Sequence, residues 1–257
     1  MSVKIVVARY NEDISWTTQI VYPVIIYNKG AQRIDASNVI PLINKGREGE
    51  TFLRHIVENY NKLDDVTVFL QGDPFDHLTI LTGWQGEISD DQKPMLYKKI
   101  NSEITNESEF ATFYQVKYNV PGNTNNSKTH LYCMKFFNEK HNYFTVSPSA
   151  QYIVPKKNIL SRPLEFWKTL HEAIYNDELD GYAMENLWWL AFHHEPDRKM
   201  GNHDYEKNLF IASRRWGFHN TPYTYYETDQ PQAIQQNPPM QRRRRTFGFI
   251  GNLTNSR

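Results

Sequence analysis

The sequence is short of cysteine: Cys133 is the only one in 257 residues. An internal disulfide and a zinc cage built from cysteines are therefore both excluded, and the chain fits a reducing compartment. Because a chain of this length buries most of its apolar surface on folding, it needs neither a disulfide nor a structural metal for stability. We expect the lone cysteine to be a small, buried, apolar side chain.

Long apolar runs and an excess of one charge are also missing. No stretch approaches the roughly 18 apolar residues of a membrane span, and the opening residues, MSVKIVVARY, have no signal-peptide pattern. These absences predict a soluble, cytoplasmic protein. Lysine and arginine total 29, as do aspartate and glutamate. This balance argues against a nucleic-acid-binding protein, because such proteins usually carry a basic excess.

One local run of positive charge interrupts the balance, formed by Arg242, Arg243, Arg244 and Arg245. The surrounding segment is rich in proline, glutamine and arginine, which predicts an extended tail over residues 221–257 with little packing of its own. The arginine run is either a solvated part of this tail or a weak contact for anionic groups. Residues 1–220 are predicted to form a single domain.

Three apolar runs near the start of the chain have the length and composition of strands: residues 3–8, 22–30 and 66–72. A continuous apolar run is typical of a strand buried on both faces of a parallel sheet. Residues 44–63, between the second and third runs, carry apolar side chains at helical spacing. This order of elements predicts an α/β fold with a mixed, mostly parallel central sheet flanked by helices.

The signal is weaker over residues 91–142, which are predicted to be an aromatic-rich insertion. A helix is predicted over residues 90–104, and aromatic strands are predicted around residues 110–120 and 129–137. Beyond the insertion we predict a strand at residues 147–160 and helices at residues 162–176 and 181–195.

A polar segment follows the third predicted strand, in the sequence VTVFLQGDPFDH. It contains Asp73, Asp76 and His77. Carboxylate oxygens near a strand end suit a Mg²⁺ or Mn²⁺ ion that also binds phosphate groups. The spacing is looser than D-x-D, and a polar turn that ends a buried strand has the same composition. A metal site and a simple turn therefore both remain open.

The loop after the first strand carries Arg9, Tyr10, Asn11 and Glu12. A carboxylate with a stacking tyrosine could hold the ribose and base of a nucleotide, whereas asparagine and acidic residues also favour helix caps and turns. In parallel sheets, ligands collect outside the carboxyl ends of the strands. This loop and the polar segment after the third strand are both expected at that edge.

The loop before the first long helix carries Gly46 and Arg47. A helix N-terminus attracts anions because its backbone N–H groups are unpaired and its dipole is positive there. A solvated loop is an equally good interpretation. The segment does not have the G-x-x-x-x-G-K-[ST] pattern, so it is not a P-loop.

Glu185 lies in the last predicted helix and shares a face with Trp189 and Phe192. Aromatic neighbours desolvate a carboxylate and make it a better proton acceptor, which suits a general base. Alternatively, this is a core helix whose glutamate pairs with an arginine. His193 and His194 follow at the helix end and are weaker candidates for metal ligands; the spacing is not H-E-x-x-H.

Five segments resemble, in the same order, the blocks of a widespread microbial family catalogued as a domain of unknown function. Members of that family are similar to nucleotide-sugar glycosyltransferases of the GT-A type, some of them in polysaccharide and viral glycan gene sets. The resemblance covers residues 3–90 and 143–195. The segments are VVARYNEDISW, IIYNKG, NKGREGETFLRHIVENYNKLDDVTVFLQGDPFDH, SAQYIVPKKNILSRPLEFW and MENLWWLAF.

The resemblance implies a GT-A-like fold and transfer of a hexosyl or related sugar from a nucleotide-diphosphate donor to a hydroxyl of a glycan or glycoprotein. It implies a Mn²⁺ or Mg²⁺ cofactor and, for an inverting enzyme, Glu185 as the base. Arg47 would also act on the leaving diphosphate. The implied donor site contains Arg9, Tyr10, Asn11 and Glu12 at the nucleotide, Asn44, Gly46, Arg47 and Glu48 at the helix entry, and Gln71, Asp73, Asp76 and His77 near the diphosphate.

Two other functions fit the same residues. A metal-dependent hydrolase or phosphoesterase would use the acidic and histidine side chains on phosphate esters without a sugar acceptor. A non-catalytic binding or structural protein on a transferase-like scaffold would use none of them for chemistry. Binding of nucleotide sugars separates these alternatives.

Overall fold

The computed structural model describes residues 1–75, 90, 93–113, 118–121, 131–137, 143–146 and 150–192. The strands in this part of the chain are β1 (Val3–Arg9), β2 (Val24–Asn28), β3 (Val39–Pro41), β4 (Val66–Gln71), β5 (Ala111–Thr112), β6 (Tyr118–Pro121), β7 (Tyr143–Val146) and β8 (Tyr152–Pro155). The α-helices are α1 (Arg47–Asn59), α2 (Lys93–Glu103), α3 (Lys156–Leu160), α4 (Leu164–Tyr175) and α5 (Gly181–Phe192).

A six-stranded sheet with the order β3-β2-β1-β4-β8-β5 forms the centre of the fold. The first four strands in this order are parallel, and β8 runs antiparallel to both of its neighbours. Strands β6 and β7 form a separate antiparallel pair. The predicted mixed, mostly parallel sheet is therefore confirmed, and helices flank it.

The central strands are buried because their sequences are apolar almost throughout. In β1, Ile5, Val6 and Val7 are fully buried, and Ile5 lies opposite Val68 of β4 in the register of the two strands. A strand with both faces covered has no need for the alternation of polar and apolar residues seen in half-exposed strands. This explains why the continuous apolar runs predicted β1 and β4 well.

The two faces of the sheet have different coverings. On one face, aliphatic side chains of β1 and β4 pack with Leu96 and Ile100 of α2. On the other face, α1, α4 and α5 pack over an aromatic layer. In that layer the rings of Phe52 and Phe69 are 4.8 Å apart, and Trp188 stacks on Phe192 at 5.2 Å. Buried aromatic side chains of this size dominate the energy of a core.

The structure corrects the prediction of a strand at residues 129–137. Cys133–Phe137 is a π-helical turn instead. Within it, Cys133 and Phe137 are both buried, and the rings of Tyr132 and Phe136 stack at 6.0 Å. Residues four apart share a face in a helical turn, whereas residues two apart share a face in a strand. The buried cysteine itself agrees with the sequence-based expectation.

Two other elements differ from the predictions. The predicted strand over residues 147–160 includes β8 but stops at Pro155, where α3 begins. Strand β3 was not predicted, because it has three residues, ends in proline and is largely exposed. The remaining predicted helices are present as α1, α2, α4 and α5.

The predicted tail at residues 221–257, its arginine run and parts of the insertion lie outside the described residues. The predicted boundary near residue 220 stays a prediction for the same reason. Among the residues that the structure describes, no helix is long and apolar enough to cross a membrane.

Candidate functional site

Of the polar residues singled out in the sequence, those that the structure describes after β1 and β4 lie at the carboxyl edge of the parallel strands. The chain leaves β1 toward β2 on one side, and β4 lies on the other side of β1. The strand order therefore reverses direction between β1 and β4. In open α/β sheets this switch point is where ligands bind, because the loops after the two strands diverge and leave a crevice.

Arg9, at the end of β1, supports the loop that follows it. Its guanidinium donates hydrogen bonds to the backbone oxygen of Glu12 at 2.9 Å, to Asn28 Oδ1 at 2.7 Å and to Gln32 Oε1 at 2.7 Å. Only 3% of the residue is exposed. The loop after β1 is thereby fixed to the loop after β2 by a buried arginine.

Glu12 is the carboxylate that this support places at the switch point. Its Oε2 accepts hydrogen bonds from the backbone N–H groups of Tyr10 at 2.6 Å and Asn11 at 3.1 Å. The same oxygen lies 2.4 Å from the point where a Cβ on Gly72 would stand. Tyr10 is 51% exposed beside it. A fixed carboxylate and an exposed aromatic ring therefore lie together beside the end of β4.

The end of β4 contributes Gln71 and Asp73. Gln71 pairs in register with Ala8 of β1 and is half-buried. Asp73 Oδ1 accepts a hydrogen bond from the backbone N–H of Phe75 at 3.0 Å, which fixes the direction of its carboxylate. The indole N–H of Trp16 donates a hydrogen bond to the Gly72 carbonyl at 2.9 Å, which holds this turn in place.

The metal prediction is only partly covered by the structure. Asp76, His77, His193 and His194 lie outside the described residues. Within the described ranges, no three histidine, cysteine or acidic side chains are grouped so that they could hold a metal ion. Asp73 is the predicted metal ligand whose position is known, and its carboxylate is half-buried at the switch point.

The entry to α1 is held in place by a buried lysine. Lys29 Nζ donates to the backbone oxygens of Lys45 at 2.6 Å and Arg47 at 2.5 Å, and it forms an ion pair with Glu50 at 2.7 Å. Burial lowers the pKa of Lys29, and the partner Glu50 opposes this effect. Gly46 has φ +58°, and a Cβ there would come within 2.6 Å of Glu50 Cβ. The predicted residue Asn44 is exposed in this loop.

Arg47 combines an unusual backbone with a specific side-chain contact. Its φ is +52°, in the left-handed region, which costs a residue with a side chain on the order of 1 kcal/mol. Its guanidinium stacks over the ring of Tyr182 at 3.6 Å from the centroid and donates a hydrogen bond to the tyrosine hydroxyl. The start of α1 is therefore joined to the start of α5 on the exposed surface.

Glu48 and Glu185 are brought near each other by the packing of α1 on α5. A Cβ on Gly49 would lie 3.5 Å from Met184 Cγ, and the rings of Phe52 and Trp188 are 6.0 Å apart. The two helices thus keep contact through successive turns.

Electrostatics agree with this placement. Burial raises the pKa of Glu48, and the charge of Glu185 adds to the increase. Burial likewise raises the pKa of Tyr152, and both carboxylates contribute. Glu48 lies in the first turn of α1, which follows the carboxyl end of the parallel strand β3, so it lies toward the same edge of the sheet as the switch point.

The sequence singled out Glu185 as a proton acceptor but placed Glu48 only at the entry of the helix. Glu48 lies near Glu185 only because two helices from distant parts of the chain pack together. The one local sign was an acidic residue in the first turn of a helix. Such residues are common because the positive end of the helix dipole stabilises a negative side chain there.

The fold is that of an α/β protein with polar side chains gathered at the carboxyl edge of its parallel strands. The chain belongs to the family described as Protein of unknown function (DUF3431), whose model matches residues 5–206. This agrees with the expected membership of a domain-of-unknown-function family. Searches of curated proteins and of solved structures found no match.

Proposed function

We propose that this protein is a glycosyltransferase that transfers a sugar from a nucleotide-diphosphate donor to a hydroxyl acceptor, on a GT-A-like fold. The observation that carries the proposal is the Glu12 carboxylate, held by two backbone N–H groups beside Gly72 at the switch point. Parallel α/β sheets bind nucleotides at this place, and an acidic side chain there accepts hydrogen bonds from ribose hydroxyls.

In this proposal the loop after β1 binds the nucleoside. Tyr10 is exposed and can stack on the base, while Glu12 accepts the ribose hydroxyls. The guanidinium of Arg9 is occupied by its hydrogen bonds to Glu12, Asn28 and Gln32, so Arg9 acts on the nucleotide indirectly. Its part is to hold the loop in the binding position.

The donor diphosphate would lie over the end of β4, beside Gln71 and Asp73. Mg²⁺ and Mn²⁺ bind through one or two carboxylates together with phosphate oxygens, so Asp73 fits such an ion without a cluster of three protein ligands. A bound ion would neutralise charge on the leaving diphosphate. Asp76 and His77 stay proposed ligands from the sequence, and Arg47 stays a proposed source of positive charge.

For transfer with inversion, the step uses a proton acceptor as well as a leaving group. The acceptor oxygen forms a bond to the anomeric carbon of the donor sugar, and the bond from that carbon to the diphosphate breaks with its electron pair. The hydroxyl proton passes to a carboxylate at Glu185 or Glu48. Glu48 suits this role because its raised pKa increases its affinity for the proton.

The test is release of nucleoside diphosphate. Purified protein is incubated with UDP-, GDP- and other nucleotide sugars plus Mn²⁺, and the products are separated by ion-exchange chromatography. We expect turnover of one donor class, with slow transfer to water when no acceptor is added. Glu12→Gln should raise the donor KM, and Asp73→Asn should lower kcat. Release of inorganic phosphate from simple phosphate esters instead would identify a phosphoesterase.

A matched control separates these effects from loss of folding. Asp13 lies in the same loop as Glu12 but accepts its hydrogen bonds from the backbone and side chain of Ser15. Asp13→Asn should therefore leave the donor KM unchanged. A donor KM that responds equally to Asp13→Asn and Glu12→Gln would mean that the loop matters only for stability.

A further inference from the structure

Tyr182 presents a fixed aromatic ring to solvent at the start of α5. The residue is 58% exposed, yet its backbone N–H donates to Asp180 Oδ1 at 2.9 Å. Its ring lies under the Arg47 guanidinium at 3.6 Å, and its hydroxyl accepts a hydrogen bond from the same group. An exposed tyrosine usually samples several rotamers. The two contacts with Arg47 restrict this ring to one orientation.

The neighbours on Arg47 add to this restriction. Arg47 keeps a left-handed backbone, and a Cβ on Gly181 would come within 3.1 Å of Arg47 Cδ. Unfavourable backbone conformations of this kind persist where the surrounding structure enforces them, often at binding sites. The start of α1 and the start of α5 therefore enforce a single arrangement of one arginine and one tyrosine.

The position of the ring relates it to the two carboxylates. Tyr182 comes three residues before Glu185 in α5, so the two side chains lie on the same side of the helix, one turn apart. Arg47 directly precedes Glu48 at the start of α1. A molecule lying on the ring of Tyr182 would thus be one helical turn from Glu185, which the packing of α1 on α5 brings near Glu48.

The chemistry of this surface favours a sugar ring. A pyranose has an apolar face of C–H groups that packs on an aromatic ring, and its hydroxyls project from the edge of that face. Because the Arg47 guanidinium covers one face of the Tyr182 ring, the sugar stacks on the opposite face. A peptide hydroxyl group has no comparable apolar face beside it.

We propose that Tyr182 and Arg47 form an acceptor subsite, and that the acceptor is a carbohydrate whose C–H face stacks on Tyr182. This inference rests on the proposed glycosyltransferase function and names the class of its acceptor. The stacked sugar places one hydroxyl at Glu48 and Glu185. Arg47 covers the other face of the Tyr182 ring and holds the ring in position for stacking.

The test is direct binding of sugars in the absence of a donor. Saturation-transfer NMR is recorded with the methyl glycosides of glucose, galactose, mannose and xylose and with N-acetylserinamide as a peptide hydroxyl. We expect at least one glycoside to bind, with Kd in the millimolar range that is typical of single contacts of this size. Saturation should be strongest at protons on one C–H face.

Variants of Tyr182 identify the surface. Tyr182→Phe keeps the aromatic face and should bind the glycoside within about twofold of wild type, while Tyr182→Leu should weaken binding by about fivefold or more. Tyr175→Leu is the matched control, because Tyr175 also carries a cation on its ring, Lys45 at 4.9 Å, but lies at the end of α4. That control should not change glycoside binding.

Several results would overturn the inference. These are no binding of any glycoside, equal binding by wild type and Tyr182→Leu, equal loss in Tyr175→Leu, or preferential binding of N-acetylserinamide. If Tyr182→Leu does not fold, nuclear Overhauser contacts between labelled Tyr182 and the glycoside decide the question in the wild type, and their absence overturns it. Donor binding is measured separately, so failure of the glycosyltransferase proposal is distinguishable from failure of the acceptor subsite.

Discussion

Glu12 occupies the space that a side chain on Gly72 would need: a Cβ at Gly72 would lie 2.4 Å from Glu12 Oε2 and 3.2 Å from Arg9 Cα. The ends of β1 and β4 are thus fitted to each other through a glycine. This contact determines where the carboxylate of Glu12 points, together with its two backbone hydrogen bonds.

Gly72→Ala should therefore displace the Glu12 carboxylate. We expect a loss of about 1–3 kcal/mol in the free energy of unfolding, which is typical of overpacking. We also expect nucleotide-sugar binding to weaken by about tenfold, similar to Glu12→Gln. Chemical denaturation measures the first effect and isothermal titration calorimetry measures the second. Wild-type affinity in folded Gly72→Ala would show that the position of Glu12 is unimportant for binding.

Glu50 should be essential for stability because it pairs with the buried Lys29 at 2.7 Å. Removing one partner leaves an uncompensated buried charge, so Glu50→Gln should destabilise the protein by about 3–5 kcal/mol. Glu58→Gln is the matched control: Glu58 pairs with the same Arg54 that contacts Glu50, but it is exposed. That change should cost less than about 1 kcal/mol. Equal losses in urea denaturation would contradict the role of Lys29.

Protonation of Glu50 should also reduce the stability of the protein in acid. Burial alone would raise its pKa, but hydrogen bonds from His171, Lys29 and Arg54 hold the pKa at about 2. Because the folded-state pKa lies below the unfolded value, this stabilisation is present above the unfolded pKa and is lost as the pH falls toward 2. The unfolding free energy of Glu50→Gln should have a shallower pH dependence in this window.

The lowered pKa of the buried His55 should cause a second loss of stability, at higher pH than that of Glu50. Burial lowers the pKa of His55 to about 4, and the charges of Lys4 and Lys62 add to this effect. The unfolded histidine binds a proton near pH 6.5, so stability should fall as the pH decreases from 6.5 toward 4. Between pH 7 and pH 5 the expected loss is about 2 kcal/mol. His55→Gln should remove most of it, and an equally steep pH profile in that variant would contradict the assignment.

The pKa of Glu48 should depend on the negative charge of Glu185. Burial and the charge of Glu185 raise the pKa of Glu48, so Glu185→Gln should lower the Glu48 pKa by removing a nearby negative charge. Carbon-13 NMR of the Glu48 carboxyl measures the shift. Glu172→Gln, on the exposed side of α4, is the control and should have no effect. An unchanged pKa of Glu48 in Glu185→Gln would show that the charge of Glu185 does not act on Glu48.

The sequence predicted the parallel half of the fold because β1 and β4 are buried on both faces and therefore apolar throughout. It did not predict β3, whose three residues gain their strand conformation from pairing with β2 rather than from their own composition. The turn at Cys133–Phe137 was mistaken for a strand because an aromatic-rich run has no clear period. Its helical conformation follows from contacts such as Phe137 with Phe166 at 5.4 Å.

The candidate site was predictable in part for the same reason. Loops at the carboxyl ends of parallel strands meet at one edge, so Glu12 and Asp73 could be grouped from topology alone. The contact of Arg47 with Tyr182 and the neighbourhood of Glu48 with Glu185 were not predictable. Both depend on how α5 packs against α1, which no local pattern in either helix specifies.

The most direct test of the account is the thermal stability of the protein with nucleotide sugars. UDP-, GDP- and other nucleotide sugars are added with and without Mn²⁺ to wild type and Glu12→Gln. At a hundredfold excess over Kd, a bound donor should stabilise the wild-type fold by about 2.7 kcal/mol, and Glu12→Gln should lose most of this gain. An unchanged melting temperature with every nucleotide sugar would contradict a donor site between β1 and β4.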